Sequence, residues 1–172
     1  MDMAVLARPE ILRLIQEGTI RIEPFSEEQV GPASVDLRLG DKFRVFKQVQ
    51  HIHHVTEEAN FEEITELIDV DGHFLLMPGQ AVHGLTVERI TLPDNICGWL
   101  QGRSRFARIG LMVHITAAFL QPGIDNQQVL EIINVGPIPL ALHPGIAVCQ
   151  AIFETCRGNA HYAGRFRDQI SP

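Results

Sequence analysis

Residues 80–116 read QAVHGLTVERITLPDNICGWLQGRSRFARIGLMVHIT, and this stretch decides the fold class. Three runs rich in Val, Ile and Leu predict strands over 80–89, 96–101 and 111–116. Punctuation, not helix, separates them: Pro93-Asp94-Asn95 marks a turn, and RSRFARIG (103–110) reads as one helical turn lodged between two strands. The pattern continues outward, with further candidate strands at 20–23, 34–39, 42–46, 73–77, 128–134, 138–142 and 147–154. Turn signals stand at Gly40-Asp41, Asp71-Gly72, Pro78-Gly79, Pro122-Gly123, Gly136-Pro137 and Pro144-Gly145. Many short strands with regular turns argue for a closed or sandwiched all-β architecture and against a βαβ sheet. Pro9 followed by EILRLIQEG adds a short N-terminal helix, because proline suits a first helical position and Gly18 ends the apolar stripe. The expectation is a single domain, 1–172, with a helical turn near 103–109 and a flexible polar tail from about 158.

Composition narrows the function. The chain has 172 residues, 45% hydrophobic and 20% charged, the balance of a water-soluble globular domain. No stretch approaches the ~20 apolar residues of a membrane span. The N-terminus lacks a basic region followed by an apolar core, and three cysteines without short pair spacing give no disulfide framework, so a cytoplasmic setting is expected. A net charge of -7 leaves no overall footprint for nucleic acid. The charge is uneven, however. Residues 57–71 carry seven acids, whereas 100–110 carries Arg103, Arg105 and Arg108 and no acid. Twelve of the fourteen basic residues are Arg, the side chain suited to forked recognition of phosphate. A basic loop on an acidic protein points to a small anionic ligand.

Two segments carry candidate chemistry. In GWLQGRSRFARIGLMVHITA (98–117), Gly102 permits a tight turn, after which backbone N–H groups and the Ser104 hydroxyl can face an anion. Arg103 and Arg105 could flank a phosphate chain, and Ser104 and Arg108 share a helical face. The same residues also fit a solvated basic turn. In VLEIIN (129–134), alternation puts Val129, Glu131 and Ile133 on one face and Leu130, Ile132 and Asn134 on the other. Glu131 is then either a rim residue that keeps an edge strand soluble or a pocket carboxylate, held ionised by a nearby Arg and used as a general base. HIHH (51–54) lies in a loop-like run without a second ligand pair, which argues against a metal, and His114 reads as a satisfied core histidine in an apolar strand. Zinc nucleobase deaminases need H-x-E and P-C-x-x-C, and neither motif occurs here.

Several blocks together resemble the dCTP deaminase family: GPASVDLRLGDKFRVF (31–46), TVERITLPDN (86–95), GRSRFARIGLMVHITA (102–117), LEIINVGPIPLALHPG (130–145) and YAGRFRDQ (162–169). The resemblance implies a distorted jelly-roll, a dUTPase-like β-barrel, assembled as a homotrimer with active sites at subunit interfaces. It implies hydrolysis of dCTP to dUTP and ammonia in pyrimidine deoxynucleotide metabolism, with no cofactor for catalysis and Mg2+ arriving with the triphosphate. On this likeness Glu131 is the general base, Ser104 positions the water or the C4 substituent, and Arg108 holds the carboxylate or the water. Arg103 and the neighbouring turn bind the triphosphate, a contact that Arg105 either strengthens or obstructs. His114, Ile115, Thr116 and Ala117 line the base and sugar pocket, and Tyr162, Arg165 and Gln169 belong to a tail that folds over the nucleotide.

The sequence departs from the family pattern in places. The family usually has a second serine where Arg105 stands, and an aspartate where Gln121 precedes Pro-Gly. Glutamine cannot act as a base, which counts against a bifunctional deaminase–dUTP diphosphatase, although its amide can still hydrogen-bond the sugar. The tail has Arg165-Phe166 where Lys-Tyr is common. The remaining alternative is a non-catalytic nucleotide-binding homologue.

Overall fold

In a computed structural model, residues 4–164, 166, 169, 171 and 172 are described. A helix, α1 (Arg8–Gln16), opens the chain. Pro9 lies in its first turn, Ile11 and Leu14 are buried beneath it, and Gly18 turns the chain out at φ 73°. Eleven strands follow: β1 (Arg21–Glu23), β2 (Val35–Phe46), β3 (Thr65–Asp69), β4 (Phe74–Leu76), β5 (Ala81–Thr91), β6 (Ile96–Gly102), β7 (Leu111–Val113), β8 (Phe119–Leu120), β9 (Asp125–Asn134), β10 (Leu140–Leu142) and β11 (Ala147–Thr155). A second short helix, α2 (Ser104–Ala107), sits between β6 and β7, where the sequence places its helical turn.

Nine strands form one antiparallel sheet in the order β7-β9-β5-β2-β11-β6-β8, with β1 added on β5 and β3 on β2, while β4 and β10 make a separate ribbon. The sheet curls into a half-barrel, which bears out the all-β expectation. It can curl because its long strands change partners partway. The first half of β2 pairs with β11, and the second half pairs with β5 and β3. Register shifts occur between Leu39 and Phe43 against β5, and between Leu85 and Arg89 against β9, and such irregularities bend and twist a strand. Leu37, Leu39, Phe43, Leu130, Ile132 and Phe153 fill the inside, each at most 1% exposed. Cys149 is fully buried on β11 beside this core, and Cys97 is buried on β6.

The structure corrects three local readings. Gly40-Asp41 is not a turn, because β2 runs straight through it. A Cβ at Gly40 would lie 3.0 Å from the Leu85 carbonyl oxygen, so this glycine admits close backbone approach at the bulge. The segment TELID (65–69), read as part of an acidic run, is strand β3, whose exposed Glu66, Leu67 and Asp69 hide its pairing from a hydropathy reading. The strand predicted over 111–116 stops at Val113, because His114 takes φ 63°.

Candidate active site

β9 alternates as expected: Leu130, Ile132 and Asn134 are at most 1% exposed, and Glu131 points to the other face. That face opens on a cavity of about 630 Å³, and Glu131 is on its wall. The carboxylate is held from the β7 side. The Thr116 amide donates to Oε2 at 2.8 Å, the Ile115 amide at 3.2 Å, and the Thr116 hydroxyl donates at 2.9 Å. His114 makes this possible. Its amide continues the ladder to the Glu131 carbonyl at 2.7 Å, and its left-handed backbone then diverts the chain out of the strand, leaving the next two amides for the carboxylate. Burial raises the Glu131 pKa, but the Thr116 amide and hydroxyl, the charge of His114 and the Ile115 amide outweigh it. The net result lies below the ordinary carboxyl value. Glu131 is therefore ionised at neutral pH and able to accept a proton.

His114 is not a satisfied core histidine. Its ring lines the cavity, and its Nδ1 is buried without a hydrogen-bond partner among the described residues. Burial pushes its pKa down, against the Glu131 charge. Ala117, Gln121, Tyr162 and Gln169, each expected at the site, also line the cavity. Ile115 and Thr116 contribute through their contacts with Glu131. Arg165 lies outside the described residues.

The basic turn does not join them within one chain. Phe106 packs α2 against the core, while Ser104, Arg105 and Arg108 are exposed and do not line the cavity. Arg103 pairs with Asp36 at 2.9 Å and donates to the Ala147 carbonyl at 3.0 Å. The expectation that Arg108 holds Glu131 is thus unmet inside a protomer, where Thr116 and Ile115 supply the bonds. The reason is positional: α2 follows β6, whereas Glu131 faces the cavity from β9.

Other cavity residues escaped the sequence reading: Phe61, His83, Asn126 and Gln128. His83 stands directly opposite Glu131 in the β5–β9 register. Asn126 donates to the Phe166 carbonyl at 2.8 Å and accepts from Gln128 at 2.5 Å. Gln127 and Gln169 bond each other twice, both at 3.3 Å, through the Gln127 backbone. These amides strap the described tail residues along β9. The walls are mostly apolar, with Phe61, Phe119, Tyr162 and Phe166 among a few amides, two imidazoles and one acidic side chain, a lining suited to a flat heteroaromatic ring with a polar edge. Among the described residues no three His, Cys, Asp or Glu gather as a metal centre requires.

Comparison with known proteins agrees with this picture. A family model described as dCTP deaminase-like matches residues 5–156. The chain is 41% identical over 169 residues to a dCTP deaminase of Marinomonas sp. (strain MWYL1), covering 92% of this chain and 87% of the relative. It is 39% identical over 159 residues to a dUMP-forming dCTP deaminase of Methanosphaera stadtmanae, covering 89% and 80%. The crystal structure of the 2'-deoxycytidine 5'-triphosphate deaminase from Agrobacterium tumefaciens superposes with a TM-score of 0.71 at 20% identity, covering 90% of this chain and 49% of that one, so this chain spans about half its length. Fold, matched span and close relatives agree, and the chain belongs to the dCTP deaminase-like family.

Proposed function

We propose that this chain is a cytoplasmic dCTP deaminase that hydrolyses dCTP to dUTP and ammonia. The observation that carries the reading is Glu131, ionised on the wall of a ring-sized cavity and fixed by Thr116 and Ile115. Water adds to C4 of cytosine as Glu131 takes its proton. The same carboxyl passes that proton to N3, takes the second proton from the C4 hydroxyl of the adduct as the carbonyl forms and the C4–N bond breaks, and gives it to the leaving amine, which departs as ammonia. One carboxylate acting as base and then acid balances the reaction without a metal-bound hydroxide.

In this reading the exposed Ser104 and Arg108 complete the site of a neighbouring protomer in a homotrimer, which accounts for their distance from the cavity of their own chain. Ser104 positions the water, and Arg108 holds the carboxylate of the partner. Arg103 and Arg105 bind the triphosphate, Arg103 keeping Asp36 as its orienting partner. Mg2+ enters on the triphosphate. Glu131 is the only acidic side chain on the cavity wall among the described residues, so phosphate oxygens would hold the ion. Gln121 contacts the sugar, and Tyr162 and Gln169 close over the nucleotide.

The test is a product assay on dCTP with ammonia and pyrophosphate scored separately. Ammonia alone is expected, and Glu131→Gln should lose about 10²–10⁴-fold in kcat with the assembly intact. Near-normal turnover in that variant would falsify the assignment of the base. A second reading, formation of dUMP, is favoured by the 39% identity to the Methanosphaera stadtmanae relative. Pyrophosphate released with the ammonia would establish it. Gln121, which cannot take up a proton, argues against it.

A further inference from the structure

Three strands carry a row of polar side chains across the floor of the sheet. Arg44 of β2 is in register with His83 of β5, and His83 is in register with Glu131 of β9. Directly paired residues of an antiparallel ladder project to the same face, with their Cβ atoms about 5 Å apart. The row therefore runs guanidinium, imidazole, carboxylate.

Arg44 is already engaged. It is buried, donates to the Pro172 carbonyl at 2.6 Å and lies 5.1 Å over the Phe61 ring. His83 packs edge-on against Phe46, with ring centroids 5.3 Å apart, and lines the cavity beside Glu131. Among the described residues, the hydrogen bonds to the Glu131 carboxylate come from the β7 side. His83 is its polar neighbour on the β5 side.

We infer that His83 is a positioning residue for Glu131: uncharged, it leaves the carboxylate free to exchange protons with water and substrate, and protonated, it pins the carboxylate in an ion pair and stops proton transfer. This inference rests on the reading of Glu131 as the general base. Among the described residues, the charged and titratable side chains around the imidazole are Arg44 from β2, Glu131 from β9 and His114 beyond it at the end of β7. Burial lowers the His83 pKa, Glu131 opposes this, and Arg44 adds to it, so the imidazole is neutral at neutral pH. Protonation belongs to mildly acid conditions, where it removes activity before the carboxyl itself titrates.

The test compares kcat/KM against pH for the wild type, His83→Leu and His83→Gln. NMR titration of the assigned His83 imidazole in the wild type and in Glu131→Gln accompanies it. Both His83 variants should lose the imidazole ionisation from the acid limb. Their activity at about pH 5.5 relative to pH 8 should rise over the wild-type ratio, by less than the roughly tenfold that an unshifted imidazole would give. In Glu131→Gln the imidazole should titrate at lower pH than in the wild type, because the carboxylate that favours its charged form is gone. A structural role would alter thermal stability and leave the pH profile alone. Unchanged pH profiles in both variants, or a His83 titration indifferent to Glu131→Gln, would overturn the inference. Retained turnover in Glu131→Gln would instead sink the base assignment itself, whatever the His83 variants do.

Discussion

Thr116 touches the Glu131 carboxylate twice, through its amide and through its hydroxyl. Both contacts favour the charged carboxylate. Removing the hydroxyl should therefore raise the Glu131 pKa. Thr116→Val is expected to move the Glu131 ionisation in kcat/KM, which lies below that of His83, to higher pH and, by loosening the carboxylate, to lower activity near neutrality up to roughly tenfold, the size of one hydrogen bond to a charged group. Thr116→Ser should restore both, and a pH–rate series on the three proteins checks it. The linkage has the usual carboxylate sign. A folded pKa below the unfolded one gives stability that is complete above the unfolded pKa and is lost as pH falls through the folded one. Glu131 itself was legible in the sequence, because a carboxylate among apolar residues on a strand is conspicuous. Thr116 was legible only as a pocket residue, since its bond depends on the left-handed turn at His114, which no propensity for histidine foretells. His83 left no local trace. Its meaning lies in the β5–β9 register, a long-range property.

Elements carry these side chains, and α2 is the one whose placement matters most. It is only four residues long, so it stands by its attachments: Phe106 packed against the core at one point, and the turn through Gly110 into β7 at the other. Gly110 has φ 88°, and a Cβ there would lie 2.6 Å from the Gly136 backbone. Gly110→Ala thus combines left-handed strain with a backbone clash. It should destabilise the fold by about 2–4 kcal/mol and displace α2, with a lower midpoint in thermal or urea unfolding as the readout. A substitution at Gly72, also left-handed but open to solvent, should cost less. The sequence announced α2 clearly, because a basic helical turn between two apolar runs has few alternatives. It misjudged β2, where glycine serves backbone approach and not a turn. It passed over β3, whose charged exposed residues mask a strand that pairs on one edge only.

At the scale of the whole molecule, the basic turn and the cavity of one chain are separate surfaces. If they meet between protomers, two inactive variants should complement each other. In randomly mixed trimers of Glu131→Gln and Arg108→Ala, about a quarter of the sites combine an intact Glu131 with an intact neighbouring Arg108. Mixing the two after dissociation and reassembly should recover about a quarter of wild-type activity per site. Recovery of none would show that each chain builds its site alone. The all-β class was legible from strand and turn spacing, but the curl into a half-barrel and the division of labour between its surfaces were not, because they depend on long-range strand pairing. The same curl decides the fate of the sulfur atoms. Burial keeps Cys149 protonated, and burial followed by contact with Cys156 pushes Cys97 up to about 11. A thiol without thiolate character is a poor nucleophile, so oxidants and alkylating reagents find little to attack at the seam between β6 and β11 until those strands part.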